Sequence, residues 1–464
     1  MDQEAYRFID WLHQAGFSVW QVLPLGPTHQ DKSPYLSLSA FAGNPDLIST
    51  DMLLEDEELS ETWLGQALRD NGRYSFDKLV DLLSSDPQNN RFNTLPGAKA
   101  FLEENQYWLR DYAQFMTLRR TQDNKAWWHW PQALRDRDLS AVRTVLNKHT
   151  DLYAAFVAEQ YLFERQWHAL KNYANVSGID LFGDIALYVA HDSADVWANR
   201  YYFALDEHGQ VAAKAGVPPD LFSETGQVWG NPVFNWPALE ESDFAWWIQR
   251  MRRQLSLVDL IRIDHFRGLQ AYWSIPAEDE TAINGQWIEA PGAALLEELR
   301  SQMGKLPLVV EDLGYITAKV DALRESFQLP SMRVIQFGFD GSDDNPHAAA
   351  NIQENTVVYT GTHDNDTVIS WFDSLHPEAQ AFIRERLNLQ DNESILDAMI
   401  RTTLSSPAAL AILPMQDVIG LGAGNRMNKP GTIEDNWTWQ FHWDQIPEDL
   451  ATRFRQKLAE TDRL

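Results

Sequence analysis

The chain has 464 residues, 44% of them hydrophobic, and carries 67 Asp and Glu against 38 Lys and Arg, a formal charge of −29 at pH 7. Such a charge repels phosphate backbones and anionic bilayer faces, so neither a nucleic-acid nor a membrane partner is expected. The absence of cysteine excludes disulfides, thiolate metal sites and a cysteine nucleophile, and fits a reducing cytoplasm.

The opening MDQEAYRFID has no basic run followed by an apolar one, so no signal peptide is expected. No apolar stretch reaches the ~18 residues of a membrane span. Residues 2–15 predict an amphipathic helix: Ala5, Phe8, Ile9 and Leu12 share a face, and Gly16 suits the position just past its end. Residues 18–23 (SVWQVL) read as a strand running into the Pro/Gly loop PLGPTHQDKSPY. Residues 46–175 are acidic, poor in strand-type runs and periodic in the helical sense. They read as a helical insertion, with a separate helical domain as the other reading. Within them, 151–173 predicts a long helix on the recurrence of Ala154, Ala158, Tyr161, Leu162, Arg165 and Ala169.

Beyond the insertion, strand-like runs at 179–185, 257–263, 308–310, 332–337, 356–359 and 408–415 alternate with helical stretches such as 294–303 and 377–387. A loop is expected around 216–236. Strand–helix alternation of this length predicts an α/β fold with a parallel sheet. With 18–23 the candidate strands number seven, whereas a closed (β/α)8 barrel needs eight.

Three of these strands share one build. LVDLIRIDHFRG, LVVEDLG and TVVYTGTHDN are apolar runs ending in a carboxylate: Asp264, Glu311 and Asp364. A barrel enzyme keeps its chemistry at the C-terminal ends of its strands. Taken singly, each acid would as readily cap a helix or pair with an arginine. Together they suit cleavage of a glycosidic bond, which needs one carboxylate to attack the anomeric carbon and another to protonate the leaving oxygen. Arg262 lies two residues before Asp264, on the same face of the strand, where a guanidinium keeps that carboxylate ionised. Asp264 is therefore read as nucleophile and Glu311 as acid/base, with their carboxyls about 5–5.5 Å apart. The 19 tryptophans suit either an indole-rich core or stacking on sugar rings. His363, Asp364 and Asp366 match no metal template, and His191 and His265 read as core or hydrogen-bonding residues. No G-x-S-x-G elbow supports a serine hydrolase.

RIDHFRG, VVEDLG and THDN resemble the catalytic regions of the α-amylase clan. WQVLPLGPT, SPYLSLSAFAGNP, HDSADVWANR, GVPPDLFSETGQVWGNP and RMNKPGT with the later NW narrow the likeness to the 4-α-glucanotransferases (amylomaltases, or disproportionating enzymes). The resemblance runs from Trp20 to about Trp439. It implies a (β/α)8 barrel with helical insertions, no metal or organic cofactor, and retaining transfer of α-1,4-glucan segments between maltooligosaccharides. By motif it implies Asp264 as nucleophile, Glu311 as acid/base and Asp364 as transition-state stabiliser. Arg262 and His363 would hold the sugar at the cleaved position. Tyr35, Trp229, Asn231 and Asn436 lie on motifs that line neighbouring sugar subsites, and the loop at 216–232 would overhang the cleft.

Two departures stand out. Family members usually begin with a first strand and a loop of the type SLPSPYGIGDLG, which this sequence lacks before its first helix. The fold expected is therefore a TIM-type α/β barrel, one catalytic domain over 1–464, apparently lacking its first strand. Such a barrel would be open, with exposed edges on two neighbouring strands and low stability and activity. In THQDKSPY, Gln30 stands where many members carry an aromatic ring, which argues against a secondary glucan contact there. A related α-glucan hydrolase and a catalytically silent glucan-binding protein are the alternatives.

Overall fold

The structure, a computed structural model, describes residues 1–71, 75–84, 91–220 and 223–464. Eleven strands are present among them: β1 (Val19–Gln21), β2 (Asp180–Ile185), β3 (Ala213–Val217), β4 (Gln227–Pro232), β5 (Leu260–Ile263), β6 (Ala271–Pro276), β7 (Gln286–Glu289), β8 (Leu308–Val310), β9 (Ser331–Val334), β10 (Thr356–Tyr359) and β11 (Leu410–Ile412).

Seven of them are parallel and run in the order β1-β2-β5-β8, then β9-β10-β11. A hydrogen bond from Val310 N to Pro330 O (3.0 Å) carries the sheet from β8 to the start of β9. Val19, Phe182, Leu260, Val309, Met332, Val357 and Leu410, one from each strand, pack into a common interior. This is the side-chain-filled centre of a TIM-type barrel. Between β11 and β1 no strand lies among the described residues. A cavity of about 470 Å³ opens there, lined by residues 16–19, 404, 406–411, 458 and 461–464. Arg463 reaches into this side and donates to the carbonyls of Leu404, Ser406 and Ala408. The two free edges thus fall on β1 and β11.

The first helix, Gln3–Ala15, starts where the Asp2 carboxylate accepts from Glu4 N and ends at Gly16, whose φ of 85° needs a residue without a side chain. Between β1 and β2 the elements described are helical, the longest being Ala98–Thr121 and Thr150–Val176. Gln160 of the latter clamps Gly43 by two bonds (2.8 and 2.9 Å) and Gln166 clamps Ser49 in the same way (2.9 and 2.6 Å). These amide bridges anchor the chain just beyond the loop that carries Tyr35. Residues 72–74 and 85–90 of the 46–175 stretch, and 221–222 of the 216–232 stretch, lie outside the described residues.

Besides shifts of one or two residues at other strand ends, three boundaries fall in a different kind of element from the one expected. Leu257 ends the helix Ala245–Leu257 rather than starting a strand; residues 335–337 form a short 3-10 turn; Met415 opens the helix Met415–Ile419. In each case one apolar run crosses from one element to the next, so hydrophobicity alone does not show the join. The 216–236 region also differs, since it is not simply a loop. β3 and β4 pair antiparallel with each other, and β3 pairs with β6, giving a second sheet in the order β4-β3-β6-β7. Its glycines and prolines mask the strand pattern. Gly216 is needed there because a Cβ would stand 2.1 Å from Gln227 O across the pair. No helix among the described residues is long and apolar enough to cross a membrane.

Candidate active site

The carboxylates converge because of strand register. Ile263 of β5 pairs with Val310 of β8, so Asp264 and Glu311 are the next pair along the same two strands. Parallel neighbours lie ~4.8 Å apart, close to the ~5–5.5 Å that retaining glycosidases need between their carboxyls. The turn after β5 locks this arrangement. Asp264 N donates to Ile185 O (3.0 Å), Glu311 N to Ile263 O (3.0 Å) and Phe266 N to Glu311 O (3.1 Å). His265 has φ 54°, a left-handed conformation that points its backbone N–H at Glu311 Oε2 (2.7 Å). Leu313 N holds the other oxygen (2.9 Å).

The two acids have different surroundings. The side chain of Asp264 is 30% exposed and accepts from Arg262 Nη2 at 2.8 Å. Glu311 is buried. Burial first, and then the charge of Asp264, push its carboxyl up to about 8, against the pull of Arg262 and the two backbone N–H groups. Near neutral pH Glu311 therefore holds a proton beside an arginine-paired Asp264, an arrangement that suits one acid and one nucleophile.

Asp184, a carboxylate that is fully buried beside these two, was missed by sequence reasoning. It sits in β2, and Arg262 Nη1 donates to both its oxygens (2.9 and 2.7 Å). The Tyr35 hydroxyl donates to Asp184 Oδ2 at 2.7 Å. With that proton spent, His363 Nε2 is the donor in its 3.0 Å contact with Tyr35. Arg262 thus bridges Asp184 and Asp264, and Tyr35 bridges Asp184 and His363. The signal was available: LFGDI is an apolar run reaching a carboxylate, built like the other three. Asp184→Ala is expected to leave Arg262 half-paired in a buried site, at about 3–5 kcal/mol of stability, read as a lowered unfolding midpoint together with loss of activity.

Asp364 accepts from Asn428 Nδ2 at 2.6 Å and stands 3.5 Å from His363 Nε2. Arg426 donates to the Asp364 carbonyl and to Asn428 O, tying the 426–437 loop onto the end of β10. The rings of Tyr35, His363 and Trp437 lie 5.4–5.8 Å apart and wall one side of the site. Asn428 and Trp437 were not singled out from the sequence. Nothing in an exposed, Gly- and Asn-rich loop marks which side chain turns inward.

The other expected subsite residues divide. Trp229 on β4 is half-exposed and stands edge-on to the His265 ring at 4.8 Å, bringing the second sheet to the catalytic turn. Burial lowers His265 to about 4, so its ring is neutral. Asn231 is buried and donates to Val189 O (2.8 Å). Asn436 is buried too, accepting from Lys429 N (2.9 Å) and donating to Thr432 O (2.8 Å). Both amides are turned into loop backbone, so the structure brings Asp264, Glu311, Asp364, Arg262, His363 and Tyr35 together, Trp229 beside them, and Asn231 and Asn436 into supporting positions.

Comparison with known proteins agrees with this geometry. The family described as 4-alpha-glucanotransferase matches residues 1–446. A 4-alpha-glucanotransferase of Synechocystis is 44% identical, over 96% of this chain and 91% of that protein. The chloroplastic/amyloplastic 4-alpha-glucanotransferase of Arabidopsis thaliana is 41% identical, over 100% of this chain and 81% of that protein. Among solved structures, the amylomaltase of Streptococcus agalactiae in complex with acarbose superposes with a TM-score of 0.91 at 34% identity, covering 100% and 95% of the two chains. A match that runs through every strand carrying an acid, at this identity, means that the chain belongs to the 4-alpha-glucanotransferase family.

Proposed function

We propose that Asp264, Glu311 and Asp364 carry out retaining transfer of α-1,4-glucan segments from one maltooligosaccharide or starch chain to another. In the first step the Asp264 carboxylate attacks the anomeric carbon of the bound sugar. The bond from that carbon to the bridging oxygen breaks, and Glu311 gives its proton to the departing oxygen. A glucosyl ester on Asp264 results. In the second step the 4-hydroxyl of an acceptor glucan enters, and the Glu311 carboxylate takes its proton. The new glycosidic bond forms as the ester breaks, and Asp264 and Glu311 return to their starting states.

Arg262 holds and aims the Asp264 carboxylate through its 2.8 Å contact. Asp364 and His363 are the donors and acceptors for the sugar hydroxyls at the cleaved position, with Tyr35 and Trp437 walling it. Transfer rather than hydrolysis requires that water be kept from the ester. The β3–β4 pair, which sets Trp229 against the catalytic turn, is the element suited to that task. A cysteine-free chain suits a reducing compartment such as the cytoplasm.

The observation that carries this reading is the pairing of two adjacent acids, one beside a buried arginine and one raised to about 8. Incubation of the pure protein with maltotriose, with products resolved by size, tests it. Glucose together with chains longer than three units is the expected result. New reducing ends without longer chains would identify a hydrolase, and unchanged maltotriose with retained binding a silent binder.

A further inference from the structure

We infer that the exposed ring of Tyr315 is an outlying glucose-stacking position on the acceptor side of the cleft, braced from behind by Arg267 and Trp287. The inference rests on the transfer reaction proposed above and extends it to a sugar that no residue so far described would hold.

Tyr315 is 69% exposed, four residues beyond Glu311 in the turn that follows β8. Four residues span at most about 14 Å, so its ring lies within reach of the first few acceptor sugars. A single exposed aromatic ring would ordinarily need no explanation. What lies beneath this one does need one. Arg267, three residues past Asp264, is 6% exposed. Among the described residues no carboxylate pairs with it, and its Nε has no hydrogen-bond partner. Burying an unpaired guanidinium is costly. Here two aromatic faces offset that cost: the Trp287 ring 3.7 Å from the guanidinium carbon and the Tyr315 ring 5.2 Å from it. Arg267 also donates to the Tyr315 carbonyl at 2.7 Å, fixing the backbone from which the ring projects. Trp287 is in turn held edge-on by Trp273 (5.2 Å) across the β6–β7 pair.

The result is a stack of Trp273, Trp287, Arg267 and Tyr315 that leads from the second sheet to an open aromatic face. An unburied ring gains nothing for the fold from such a rigid base. A pyranose ring laid against it would gain a preformed apolar surface with little ordering cost.

Side follows from chemistry. The groups that enclose the cleaved sugar, namely Asp184, Tyr35, His363, Asp364 and Trp437, come from the ends of β2 and β10 and the loops after β1 and β11. Glu311 must stand on the glycosidic oxygen, between that sugar and the leaving or incoming chain. Tyr315 belongs to the Glu311 turn, and its brace belongs to the turn after β5. Both are separate from the enclosing group, so the ring serves the chain that departs and arrives.

The test uses unlabelled maltotriose as donor and radiolabelled glucose, maltose or maltotetraose as acceptor, comparing the wild type with Tyr315→Ala and Tyr315→Phe. For Tyr315→Ala the ratio of KM for maltotetraose to KM for glucose should rise roughly five-fold, the scale of one lost ring contact. Tyr315→Phe should stay within about two-fold of the wild type. Unchanged ratios in Tyr315→Ala, or an equal rise for every acceptor including glucose, would overturn the stacking position while leaving the transfer reaction intact. A wild type that lengthens no acceptor would overturn both.

Discussion

Asp264→Asn should lower kcat by on the order of 10⁴–10⁶, the scale seen when a covalent nucleophile is removed from a preorganised site. An amide cannot form the glucosyl ester. The fold should survive. Asparagine keeps the size of the side chain, and its carbonyl oxygen still accepts from Arg262, which retains both bonds to Asp184. The check is the initial rate of maltotriose disproportionation alongside a thermal melt by circular dichroism. An unchanged melt with a rate within tenfold of the wild type would remove Asp264 from the nucleophile's role.

Glu311→Gln should lower kcat by roughly 10²–10⁴, the usual span of general acid–base assistance. The loss should depend on the leaving group. With a maltosyl fluoride donor the fluoride departs without protonation, so the first step should be nearly normal in the variant. The second step still needs a base, so the maltosyl ester on Asp264 should accumulate and be seen as a mass increment on the protein. The pH profile gives an independent reading. Glu311 is raised to about 8, so it is protonated and able to act as acid below that value and loses this ability above it. In the wild type kcat/KM should fall about tenfold per pH unit on the alkaline side of 8. In Glu311→Gln that limb should vanish with the fluoride donor. An alkaline limb that persists unchanged in the variant would assign it to another group.

Much of the site was legible in the sequence because each acid follows a strand-like run, and such runs are local. LIRID, LVVED and VVYTGTHD place Asp264, Glu311 and Asp364 at strand ends from hydrophobicity alone. The Arg262–Asp264 contact follows from two-residue alternation in one strand, and the structure shows it at 2.8 Å. The count of seven parallel strands follows from the same pattern. The second sheet was less legible. β3 pairs with β6 some sixty residues away, and neither partner announces the pairing in its own composition. Asn231 and Asn436 show the opposite limit. Both lie in motif-bearing loops, but the direction an amide points depends on which carbonyl the neighbouring loop presents, here Val189 and Thr432.

The amino-acid sequence by itself determined the class of fold and the kind of chemistry and put three acidic residues at strand ends, because those depend on residue types at short separations. Tertiary structure alone decided that Asp184 joins Arg262 and Tyr35, that Asp264 and Glu311 stand side by side, and that Glu311 keeps its proton at neutral pH. Each of these depends on which side chains from distant strands exclude water around a carboxyl, and that is a property of packing and register.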